Sequence, residues 1–153
     1  MKKDLCSITI SQNLKELGFK VLTHYYYSNE CKKLRHDEIV NTIKNWNNHF
    51  YGQLLNLTSV PTVDQAIDWI REKYDVIVFN HVAPYVDPRD KKNRIAYIYN
   101  VKYCNRKSGW NGRVHISYGK CASYNIYAAK RMAIMEAIRW IKKNRICSKK
   151  TKK

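Results

Sequence analysis

The sequence predicts an α+β fold, one antiparallel sheet made of a three-strand meander plus an N-terminal strand and packed against helices, and three observations carry that expectation. A capping box opens an amphipathic helix after Pro61, three runs between Val76 and Tyr118 have the alternation and turn signals of β-strands, and an Ala-rich amphipathic helix follows them. At 153 residues the chain fits one domain able to bury about 68–70% of its unfolded surface, so neither a disulfide nor a metal is required for folding.

The elements follow in order. Ile10, Leu14 and Leu17 have helical spacing within residues 8–17, and Gly18 is placed to end that helix in a left-handed conformation. Val21, Thr23, Tyr25 and Tyr27 then alternate with Leu22, His24 and Tyr26, which predicts a strand rich in β-formers. A polar turn covers residues 29–33, and Asp37 can cap a helix that aligns Ile39, Ile43, Trp46 and Phe50. Thr62 and Gln65 form the capping box of the next helix, residues 63–74, with Val63, Ala66, Ile67, Ile70 and Tyr74 as its buried stripe. Its polar face holds Asp64, Asp68, Arg71, Glu72 and Lys73. Three strands of a meander come next: residues 76–79, ending near Pro84; residues 95–104, with Ile95, Tyr97, Tyr99, Val101 and Tyr103 on one face; and residues 113–118. Ser123 or Asn125 caps the last helix, where Ile126, Ala129, Ala133, Ala137, Trp140 and Ile141 share one face and Arg131, Arg139, Lys142 and Lys143 the other. The expected organisation is one domain over residues 1–147, with a near-neutral part to residue 61 and a basic part from residue 62. A disordered basic tail, Ser148 to Lys153, follows it.

Charge is distributed unevenly along this order. Residues 1–88 carry 10 Lys and Arg and 10 Asp and Glu, whereas residues 89–153 carry 19 and 2, so the whole net charge of +17 lies in the later segment. Coding bias from an AT-rich genome accounts for abundant Lys, Asn, Ile and Tyr, but not for the near disappearance of acidic residues after Asp90. Such a concentration of positive charge suits an anionic partner, and nucleic acid is the commonest large polyanion. No apolar run reaches the length of a membrane span and residues 1–7 lack a secretory signal's apolar stretch, which predicts a cytoplasmic protein, in a bacterial host cell, with no membrane partner. The five cysteines form no regular framework and read as free thiols.

Two resemblances add to this reading. The order helix, three antiparallel strands, helix over residues 62–145, with Ala129-Lys130-Arg131-Met132-Ala133-Ile134-Met135-Glu136-Ala137-Ile138 in the last helix, resembles a double-stranded RNA-binding domain. Where that family has its run of lysines this chain has Ile126 and Tyr127, only Lys130 falls on a basic position, and the family's Gly-Pro-x-His loop is absent. A likeness over most of the chain is to small proteins of unassigned activity from phages and mobile elements of gut Bacteroidetes. It is carried by Gly18-Phe19, Tyr25-Tyr26-Tyr27, Pro61-Thr62, Trp69-Ile70-Arg71-Glu72 and a final helix, and implies a phage or mobile-element origin.

The expected nucleic-acid surface combines Lys91, Lys92 and Arg94 in one connection, Arg106, Lys107 and Arg113 around a second, and Lys130, Arg131, Arg139, Lys142, Lys143 and Arg145 on the last helix. Tyr97, Tyr99, Tyr103, Tyr118, Tyr124 and Tyr127 lie among these charges as candidates for stacking or for the core, and Trp110, between Gly109 and Gly112, is placed at a loop tip to stack on an unpaired base. A solvated face that keeps the protein soluble is the competing reading of the same charges. His115 with Cys104 or Cys121 matches no compact zinc pattern, and His24, His36, His49 and His81 show no nucleophile or carboxylate at a recognisable spacing. No catalytic residue, metal or cofactor is therefore assigned. The expected function is non-catalytic binding of RNA or DNA. Its alternatives are an inhibitor that places its basic face on a host protein, and a nuclease that holds magnesium with Asp87, Asp90 and Glu136.

Overall fold

A computed structural model describes residues 4–30, 32–36, 46–47, 56–86, 91–103, 115–123 and 125–150. It is an α+β structure with small antiparallel sheets and helices, as the sequence predicts. The chain divides into two compact units, residues 1–69 and 70–153.

In the first unit, helix α1 (Ile8–Glu16) is defined at both ends by local chemistry. The Ser7 hydroxyl accepts from the Ile10 amide at 3.3 Å, satisfying one of the donors left free in a first helical turn. At the other end Gly18 has φ +87°, its amide donates to Lys15 O at 2.9 Å, and the Phe19 amide donates to Leu14 O at 2.9 Å. This is a Schellman ending, and the two residues it brings together, Leu14 and Phe19, are both buried.

Strands β1 (Tyr25–Ser28), β2 (Lys33–His36) and β3 (Leu57–Val60) form an antiparallel sheet in the order β2-β1-β3. Tyr25 is paired with His36 on one side and Val60 on the other. The predicted N-terminal strand therefore belongs to a sheet of its own. Residues 21–24, read as part of that strand, precede it, and β2 and β3 were not expected. Strand β2 lacked an apolar alternation because it is an exposed edge carrying Lys33 and Arg35. Strand β3 lacked one because Thr58 and Ser59 are fully buried beside Leu57 and Val60.

Remote partners make that burial tolerable. Thr58 Oγ1 donates to Asn29 Oδ1 at 3.2 Å, and the Ser59 amide donates to Asn47 Oδ1 at 3.0 Å. Asn47 also donates from its own amide to Ser59 Oγ at 3.2 Å and from Nδ2 to Phe19 O at 3.0 Å. Trp46 packs on Tyr26 with ring centroids 4.3 Å apart and donates from Nε1 to Thr23 O at 3.0 Å. The helix expected from residue 37 to 50 otherwise lies outside the described residues. Lys15 Nζ donates to Leu57 O at 2.7 Å, and burial holds its ammonium below the ordinary lysine range.

Helix α2 (Val63–Tyr74) spans the division between the units. Its capping box is closed in both directions, with the Thr62 amide donating to Gln65 Oε1 at 2.9 Å and the Gln65 amide to Thr62 Oγ1 at 3.1 Å. Val63, Ala66 and Ile70 are buried as expected, and Ile67 and Tyr74 are half-buried. Trp69 widens the stripe, meeting Phe19 edge-on at 5.2 Å. Asp75, in a left-handed conformation with φ 56°, ends the helix and leads directly into the next strand.

The second unit is built on β4 (Val76–Val86), β5 (Asn93–Tyr103) and β6 (His115–Ser123), an antiparallel meander in that order. Strand β4 runs through Pro84, where the sequence had placed its end. It is an edge strand, so a residue without an amide proton need not interrupt the inner ladder. Its partner β5 is central, and burial is not confined to the expected face: Val101 is buried on that face and Ala96 and Asn100 on the other. Between β5 and β6 the register shifts, so that Tyr118, Gly119 and Lys120 stand opposite Asn100 alone.

Helix α3 (Ile126–Lys150) packs chiefly on β5 and β6. Asn125 caps it, Oδ1 accepting from the Tyr127 and Ala128 amides at 2.9 and 3.2 Å. Ala129, Ala133 and Ala137 are completely buried and let the helix axis approach the sheet closely, while Ile134, Ile138 and Ile141 fill the space beside them. The helix continues through Ser148, Lys149 and Lys150, residues whose composition had suggested a solvated arm. Lysine is a good helix former, no Gly or Pro intervenes, and positive charge is favourable at a helix C-terminus.

Candidate nucleic-acid interface

The division of the chain sharpens its charge polarity. Residues 1–69 carry eight Lys and Arg with seven Asp and Glu, a net +1, whereas residues 70–153 carry 21 and five, a net +16. The cationic character therefore coincides with one folded unit, the one made of the meander and α3.

Within α3 the basic residues are not equivalent. Arg139 and Lys143 are exposed and one turn apart, whereas Lys130, Arg131 and Lys142 are half-buried and each engaged in a further interaction. At about 100° per residue, Lys130 projects nearly opposite Arg139, toward the side on which Ala133, Ala137 and Ile141 pack. The helix thus presents Arg131, Arg139, Lys142 and Lys143 over an arc of about 120°, with Lys130 outside it. Arg139 Nη1 lies 3.4 Å from Glu136 Oε2 across a single turn, an exposed pair of small energetic weight that leaves the guanidinium on the surface. Arg145 lies in the same helix.

Lys91 and Lys92 are exposed immediately before β5, with Lys91 in a left-handed conformation, φ 53°. Arg94 follows within the strand, opposite Tyr85. Arg106, Lys107, Trp110 and Arg113 lie outside the described residues, as do Tyr124, Asp87 and Asp90. Tyr97 and Tyr127 are half-buried, closer to framework positions than to free stacking surfaces.

Three residues that the sequence reading passed over belong to this unit's sheet. Lys102 is half-buried on β5 opposite Ile77, Lys120 lies in the irregular part of β6, and Phe79 is 41% exposed on β4. Lys102 was legible as the polar member of an alternating strand; Phe79 was not, because an aromatic residue in an apolar run reads as core.

Among the described residues no group of three His, Cys, Asp or Glu is placed to hold a metal ion, and Glu136 is engaged with Arg139. Among them, too, no helix is long and apolar enough to cross a membrane. His24 and His36 stack at 6.2 Å in the first unit, where Tyr25 also meets His36 at 4.8 Å. Cys6 is buried and outside any disulfide, its Sγ donating to Thr62 O at 3.7 Å.

Compared with protein-family models, with curated proteins and with solved structures, the chain matches none.

Proposed function

We propose that this protein binds nucleic acid without catalysis, through the unit formed by residues 70–153, and that a phage or mobile element encodes it. The observation that carries this reading is the coincidence of 21 Lys and Arg against five Asp and Glu with one folded unit, beside a unit of nearly balanced charge. Solubility needs a net charge of only about 2–8 on a small domain, and +16 on 84 residues exceeds it. Phosphate contact dominates: Arg139 and Lys143 are exposed on one helix face, Lys91 and Lys92 are exposed ahead of β5, and no recognised base-reading motif is present.

Fluorescence anisotropy of the full chain against labelled duplex DNA, duplex RNA and single strands over a salt series tests the reading. Affinity should fall linearly in log salt, as expected when bound cations displace condensed counterions. Binding that is absent at 50 mM salt, together with tight capture of one host protein, would replace it with the protein-inhibitor reading. Cleavage of the labelled strand that stops with a chelator would replace it with the nuclease reading.

A further inference from the structure

Residues 76–79 of β4 alternate between two environments, whereas further along the strand Val82 and Val86, on the face of Val76, are themselves exposed. Val76 is fully buried and Val78 half-buried, while Ile77 and Phe79, between and beyond them on the opposite face, are 37% and 41% exposed. Register extends that outer row onto β5, where Ile77 stands opposite Lys102, Phe79 opposite Asn100, and Ile98 opposite His81. The short side chains of the row, Ala96 and Asn100, are buried; Ile98 and Lys102 are half-buried. The result is an exposed row along the β4 edge, bordered by the buried Ala96 and Asn100 of β5, with one exposed aromatic ring, an aliphatic neighbour and a lysine one diagonal position from the ring.

The charge around it points to the occupant. The three strands contain no Asp or Glu, and their charged residues are Arg94, Lys102 and Lys120. An exposed ring beside a cation on an acid-free sheet is the combination that holds unpaired bases, since every base offers a π-face to stack and every nucleotide a phosphate to neutralise. A duplex keeps its bases stacked on each other and has no use for the ring. We infer that the Ile77–Phe79–Lys102 row of the meander is a stacking platform for single-stranded nucleic acid, with Phe79 receiving a base and Lys102 the adjoining phosphate. The inference rests on the nucleic-acid reading above and narrows it to unpaired strands.

The test is anisotropy of the full chain at fixed salt with a labelled 12-nucleotide single strand and the duplex of equal length, for the wild type, Phe79→Ala and Phe79→Trp. Phe79→Ala should weaken single-strand binding about 5- to 100-fold and change duplex binding less than about twofold, with Phe79→Trp restoring the single-strand affinity. Far-UV circular dichroism and sedimentation velocity accompany each variant. Unchanged single-strand affinity in a folded Phe79→Ala protein, or an equal loss on both probes, overturns the platform while leaving nucleic-acid binding intact. Conversion of a dimer to a monomer by Phe79→Ala, with binding unaltered, makes the row a protein interface and overturns the platform as well. A wild type that binds neither probe overturns the underlying nucleic-acid reading itself.

Discussion

Residues 1–69 and residues 70–153 differ in charge and in the contacts that their described residues make, and the difference guides how the proposed anion-binding role can be tested. The first unit buries polar groups and satisfies each of several by a named contact: Ser59 with Asn47, Thr58 with Asn29, the Trp46 indole with Thr23 O. Its charges nearly cancel. In the second unit a face of alanines and isoleucines on α3 packs against β5 and β6, and Arg139, Lys142 and Lys143 lie off that face. Packing through small apolar residues is indifferent to the far side of the helix, so that side is free to carry charge. The buried polar contacts of the first unit should respond to single polar deletions, and the exposed cations of α3 should tolerate charge changes that alter binding strongly.

The largest expected effect is on binding. With about 6–10 phosphates neutralised, affinity should fall by about three to five decades between 50 and 200 mM salt, as an anisotropy series reads directly. Lys142→Glu combined with Lys143→Glu should weaken binding to all sequences alike and flatten the log–log salt slope by about 2, with little change in melting temperature. Loss of folding in that variant would break the comparison, because it would make these cations structural.

Asn47→Ala should act in the opposite sense, leaving the salt slope alone and destabilising the protein by about 2–5 kcal/mol in urea titration. It removes the acceptor for the buried Ser59 amide and the donor to Phe19 O. Gly18→Ala should cost about 1 kcal/mol, since an added Cβ meets no atom within 4 Å and only the positive φ penalises it. The smallest effect concerns Lys15. Burial lowers its pKa in the folded chain, so the unfolded chain holds more protons in the alkaline window below 10.5. Stability should therefore rise with pH through that window, and Lys15→Met should abolish the rise.

These cases also show which features sequence carries. The C-terminal end of α1 and the start of α2 were legible because Gly18, Thr62 and Gln65 act on residues only three positions away. Strand β3 was not, because what makes Thr58 and Ser59 buriable is Asn29 and Asn47, more than ten residues distant. The same limit applies to the site. Positive charge was plain in the composition, but that Lys143 is exposed while Lys130 lies toward the packed side depends on how α3 rotates against the sheet. Phe79 needed the register of β4 on β5 before its exposure could be recognised.

The central claim, that one unit carries the anion-binding function, is tested most directly by neutralising equal charge in each unit of the full chain and comparing salt slopes. Lys32→Gln, Lys33→Gln and Arg35→Gln together alter three exposed cations of the first unit; Arg139→Gln, Lys142→Gln and Lys143→Gln alter three on α3. The account predicts that the second variant loses about three units of log–log slope and the first essentially none. Equal losses in both would show that the charge acts diffusely and that no unit is specialised for the partner.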